Sequence, residues 1–173
     1  MGLGVDICRW LGIERPEHEP QVLEAVCEVL DRLTPARARY VAAFAYLLGR
    51  VAGADVEITA AERNVMERLV AQEGALSTDE ASAIVTLALA EGHRFGGTHN
   101  LQVTREFAAQ TTHEERLGLL RCLFAVSAAD TNVTVLEDNQ IRGITRELRI
   151  EHPDFIRARD EVRAHLAVLR HNR

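Results

Sequence analysis

Six oxygen-bearing side chains fall into two short segments of matching spacing. Asp55, Glu57 and Glu62 lie in the first, and Asp130, Asn132 and Glu137 in the second, 75 residues later. The register runs without a gap: Ala54-Asp55 matches Ala129-Asp130, Ile58-Thr59 matches Val133-Thr134, and Glu62 matches Glu137. Carboxylate and amide oxygens crowded into one short stretch suit a hard divalent cation, Ca²⁺ or Mg²⁺ rather than Zn²⁺. The spacing is not that of an EF-hand, whose loop is longer and whose last carboxylate comes later. The same residues also have a reading without metal. Glu62 and Glu137 stand three residues after Thr59 and Thr134, the capping-box spacing, and Asp55 and Asp130 can accept hydrogen bonds from loop amides.

Other candidates for chemistry are weaker. His93, His99 and His113 lie in and after a glycine-rich stretch, but they lack the His-x-x-x-His spacing of a zinc site and read as surface residues. Ser127 lacks a Gly-x-Ser-x-Gly setting and Cys122 falls on an apolar face, so both read as packing residues. Nothing in the chain asks for catalysis. The alternative to a binding module is a metal-dependent hydrolase, in which the same carboxylates hold a cation that activates water, with His93 or His99 as base.

Composition narrows the field further. All 20 basic residues are arginine, which excludes Schiff-base chemistry and phosphate-binding loops that end in Gly-Lys. A net charge of -6 argues against a nucleic-acid partner, because the phosphate backbone demands a basic surface. Three cysteines without Cys-x-x-Cys spacing signal neither a disulfide framework nor a thiolate zinc site, and fit a reducing, cytoplasmic setting. No run is long and apolar enough to span a membrane, and Asp6 interrupts what would be the apolar stretch of a secretory signal.

The elements that must position these residues are helices. Few prolines and long runs of Ala, Leu, Glu and Arg, with apolar residues at helical spacing, predict an all-α protein, a compact single-domain bundle of eight or nine helices. Residues 1–19 read as an amphipathic segment that packs as a lid, with Leu3, Ile7, Trp10 and Leu11 on one face, and residues 20–173 as the helical domain. The most apolar helix, over about 35–54, is the expected centre of the core. Thr34, Thr59, Ser77, Thr112 and Thr134 are the expected N-caps, and Gly74 the expected stop of the helix that begins at Thr59. The arginines from Arg157 onward alternate with Asp154, Asp160 and Glu161, which predicts a solvated, ion-paired face.

Each acidic segment joins a helix ending in Ala-Asp to a Thr-capped helix, so the repeat is a helical hairpin. Two hairpins related by an approximate two-fold axis would bury each other's apolar faces. These junctions resemble those of the TerB-like family, named for a tellurite-resistance protein and found also beside a DnaJ domain in membrane-anchored co-chaperones. The resemblance rests on the Ala-Asp-x-x-aliphatic-x-x-x-Glu pattern, present twice, and covers roughly residues 35 to 170 by the order of helices. In that family the junction usually reads Ala-Asp-Gly-Glu-Ile-x-x-x-Glu, and its acidic residues are regarded as metal ligands.

Carried over residue by residue, the resemblance implies ligands at Asp55 and Glu62 and at Asp130 and Glu137. Glu57 matches the acidic position after the usual glycine, and Asn132 is its counterpart. Val56 and Thr131 stand where the family commonly has glycine. A β-branched side chain is poorly suited to positive φ, so the loop path, and with it an inherited cation site, is expected to differ here. The resemblance implies a non-catalytic stress-response module linked to tellurite resistance. Such a module would sense a divalent cation through the duplicated loops and act on a protein partner.

Overall fold

The computed structural model describes residues 2–13, 20–54, 58–92, 97–130 and 133–171, and among them every regular element is an α-helix. In chain order these are α1 (Leu3–Trp10), α2 (Pro20–Asp31), α3 (Pro35–Ala52), α4 (Ala60–Gly74), α5 (Thr78–Gly92), α6 (Gly97–Gln110), α7 (His113–Ser127), α8 (Val135–Glu147) and α9 (His152–His171). The all-α bundle expected from periodicity is therefore what forms.

A helix that is apolar on every side has no face to offer water and must lie inside. α3 is that helix: every residue from Val41 to Ala52 is buried. It packs against α1, α4, α5, α6, α7 and α8. Gly49 allows the close crossing with α5, since a Cβ there would lie 3.0 Å from the Ala88 carbonyl oxygen. The two copies of the repeat, α3–α4 and α7–α8, pack on one another, α3 touching both α7 and α8, and α4 touching α7. α1 packs against α2 and α3, burying its own Ile7 and Cys8 and the following Leu11.

Helix starts follow the local chemistry closely. Pro35 takes the first helical position of α3 after Thr34, although the Thr34 side chain makes no capping bond. The stop of α4 falls where the sequence places it. Gly74 is the last helical residue of α4, and the left-handed position falls on Ala75, with φ of 53°. The turn is held by the Leu76 amide donating to the Ala71 carbonyl at 3.0 Å. An L-residue in that region costs about 1 kcal/mol, which the tertiary packing of α4 and α5 outweighs. On α9, Arg157 meets Asp154 at 3.6 Å and Arg159 meets Asp160 at 3.3 Å, while Arg121 of α7 reaches Glu161 at 2.8 Å. The arginines in the first half of α9 are thus ion-paired, as the neighbouring acidic residues predict.

Candidate functional site

The second helix of each repeat opens on a capping box, and the two boxes have nearly the same geometry. The Thr59 amide and hydroxyl donate to Glu62 Oε2 at 2.7 and 2.8 Å, and the Glu62 amide donates to Thr59 Oγ1 at 3.2 Å. In the second copy the Thr134 amide and hydroxyl donate to Glu137 Oε2 at 2.8 and 3.0 Å, and the Glu137 amide returns to Thr134 Oγ1 at 3.2 Å. Each threonine and glutamate thus satisfies amides that the first helical turn leaves without intrahelical partners.

What sets these boxes apart is burial. Glu62 is 3% exposed and Glu137 2% exposed, which is rare for carboxylates. Packing of the hairpins brings the Glu62 carboxyl against that of Glu137. Burial pushes the Glu137 carboxyl up to about 6; the bonds from Thr134 oppose the shift, and the contact and charge of Glu62 add to it. Glu137 Oε1 is buried and receives no hydrogen bond from the described residues. Two ionised carboxylates cannot hydrogen-bond each other, so this oxygen is left to a proton shared with Glu62, an ordered water or a cation.

Glu62 and Glu137 are thus brought together as facing, buried oxygen donors. Asp130 is half-buried in the turn after α7 and has interactions of its own. Asp55, Glu57 and Asn132 lie outside the described residues, as do Val56 and Thr131. Among the described residues no group of three or more His, Cys, Asp and Glu side chains is arranged to hold a metal.

The remaining candidates lie elsewhere. His93 falls outside the described residues. His99 is half-buried rather than on the surface, with its ring edge-on to Tyr46 at 6.3 Å between centroids. His113 is exposed, its Nε2 3.2 Å from Asp154 Oδ2. Ser127 is fully buried at the end of α7, consistent with packing, and Cys122 is half-buried against the core, its thiol pushed up to about 12 by burial.

Sequence reasoning missed one polar anchor. Arg50, 6% exposed, donates through Nη1 to Thr104 Oγ1 at 2.8 Å and to Glu147 Oε2 at 2.9 Å, and through Nη2 to Glu147 Oε1 at 3.3 Å. Burial alone would raise the Glu147 carboxyl, but the bonds from Arg50 and Thr104 hold it below its ordinary value. This fork ties α3 to α6 and to the far end of the helix that carries Glu137. The signal was available: Arg50 is the only charged residue between Val41 and Gly53. A lone arginine inside an apolar helix needs a buried acid somewhere in the fold.

Compared with known proteins, residues 41–160 match the family model described as tellurite resistance protein TerB. The match begins within α3 and ends within α9, so it contains both capping boxes and leaves α1 and α2 outside. No curated protein and no solved structure matches the chain.

Proposed function

The chain belongs to the TerB family of tellurite resistance proteins, and from that membership we propose that it is a non-catalytic, cation-responsive module acting through a protein partner in a stress response. The observation that carries this reading is the buried meeting of Glu62 and Glu137, with Glu137 Oε1 lacking a donor among the described residues. A divalent cation there would replace the shared proton and stand between the first turns of α4 and α8. Asp55, Glu57, Asp130 and Asn132 would complete its oxygen shell. Ca²⁺ and Mg²⁺ fit the all-oxygen donors better than Zn²⁺ does. Because the two glutamates open the second helix of each hairpin, drawing them together would set the angle between the hairpins.

The surface that a partner would read lies next to the second loop. Val133, Val135 and Leu136 are 50%, 77% and 54% exposed, the large apolar side chains flanking and following the Thr134 cap. Their counterparts in the first copy are Ile58, which is half-buried, and the small residues Ala60 and Ala61. The repeat thus carries its exposed apolar patch on one copy alone, which favours a binding role for that copy over a packing role.

Titration calorimetry with Ca²⁺, Mg²⁺, Mn²⁺ and Zn²⁺ tests the cation reading on wild type and on the Asp55→Asn, Asp130→Asn double variant. Binding of a hard cation by wild type, weakened in the double variant, is expected. Absence of binding at millimolar cation would leave only a scaffold role. The partner reading is tested separately by Leu136→Glu, expected to abolish partner capture while leaving cation binding intact.

A further inference from the structure

α1 and α2 lie outside the family match, and they meet at a contact between two thiols. Cys8 Sγ and Cys27 Sγ are 3.9 Å apart. The helices are in backbone contact here. A Cβ on Gly4 would fall 2.6 Å from Cys27 Cα, so only glycine allows the crossing. The Gly4 amide donates to Asp31 Oδ1 at 2.6 Å, which pins the start of α1 to the end of α2. Cys8 follows Gly4 by one helical turn and so faces the same stretch of α2. Among the described residues, Val5, Cys8, Arg9, Ile13, Leu23 and Cys27 line a groove of about 260 Å³ beside the pair.

We propose that Cys8 and Cys27 form a reversible disulfide that staples the N-terminal helix over the core, closed by exchange with a low-molecular-weight disulfide such as that of glutathione. Cys27, the more exposed of the two, is the entry point. Its thiolate attacks one sulfur of the glutathione disulfide, whose S–S bond breaks and releases one glutathione thiol. The Cys8 sulfur then attacks the Cys27 sulfur of the mixed disulfide and expels the second glutathione. The two cysteines lose two electrons and two protons, and the oxidant is reduced to two thiols. Bond formation requires the sulfurs to close from 3.9 Å to about 2.05 Å between helices already in backbone contact.

Burial pushes both thiols up, and Asp31 adds to the effect on each. The pair is therefore held protonated and exchanges slowly, which suits a modification set by the redox poise of the surroundings rather than a rapidly cycling site. Beneath α1 the core has a small cavity bordered by Cys8, Leu11, Ile13, Tyr46 and Ile84, so the staple would hold α1 over it.

The test is equilibration of the full chain in glutathione buffers of graded oxidised fraction, followed by thiol alkylation and intact-mass analysis. The expected result is an intramolecular disulfide that leaves a single alkylated thiol, Cys122, with peptide mapping joining Cys8 to Cys27. Cys27→Ser should abolish this species, and the oxidised wild type should unfold about 5 °C above the reduced form. Three alkylated thiols at the oxidising end of the series, or a disulfide involving Cys122, would overturn the proposal. The wild-type measurement decides the matter even if Cys27→Ser does not fold.

Discussion

Four of the described helices begin with the same device, a Ser or Thr cap answered by a glutamate three residues on, yet two of the four glutamates are buried and two face solvent. In the boxes of α5 and α7, Ser77 with Glu80 and Thr112 with Glu115, the carboxylate faces water. There the backbone and side-chain bonds from the cap hold the glutamate below its ordinary value. In α8 the bonds are the same within a few tenths of an ångström, but Glu137 is buried against Glu62 and its carboxyl is driven up to about 6. Local hydrogen bonding therefore does not decide the charge state of a capping glutamate. Desolvation and a like charge across the hairpin interface outweigh it.

That difference can be broken in several ways, and the largest effect concerns cations. Glu62→Gln and Glu137→Gln should each weaken divalent-cation binding at least about 100-fold by calorimetry, whereas Glu115→Gln should leave it unchanged. Equal affinities in all three variants would place the cation away from the paired boxes.

Removing a cap comes next. Thr134→Ala deprives buried Glu137 Oε2 of one of its two donors as well as removing the helix cap, so it should cost about 2 kcal/mol in urea unfolding. Thr112→Ala removes the same cap where water can replace it, at a cost of about 0.5–1 kcal/mol. Similar losses at both positions would mean that burial adds nothing to the second box.

In cation-free protein at pH 7, Glu137→Gln should stabilise the fold by about 1 kcal/mol after allowance for solvent screening, because the amide carries no charge and can donate to Glu62. Thermal unfolding would rise by a few degrees, opposite in sign to the effect of the same variant on cation binding.

The smallest effect lies in the pH dependence. Glu137 has a folded value raised from 4.5 to about 6, so the native state holds its proton more tightly than the unfolded chain. Its contribution is fully present below about pH 4.5 and is lost as pH rises through 6. Glu80 and Glu115 have lowered values, so their contributions are present above the ordinary 4.5 and are lost as pH falls below it. Stability curves for wild type and Glu137→Gln should diverge between pH 4.5 and 6 and run parallel above it.

The helices and their starts were legible because they depend on near neighbours. Periodicity marked α3 as the central helix, and the three-residue spacing marked the boxes at Thr59, Ser77, Thr112 and Thr134. The stop of α4 at Gly74 was legible too, although the left-handed position falls on the next residue, Ala75, because glycine is its usual but not obligatory occupant. Of the acidic set, Glu62 and Glu137 could be named but not joined. Nor could Arg50 be assigned to Glu147, 97 residues away, or Cys8 to Cys27 across the helix crossing at Gly4.

By itself the sequence determined an all-helical chain, a duplicated hairpin and a capping glutamate at each copy, because backbone hydrogen bonding and amphipathic spacing are set within a few residues. Only the tertiary structure decided which of four equivalent glutamates lose water and meet a like charge. Desolvation and Coulomb interactions act through space between segments that the chain order keeps far apart, so the chemistry of the buried pair exists only once the two hairpins have packed.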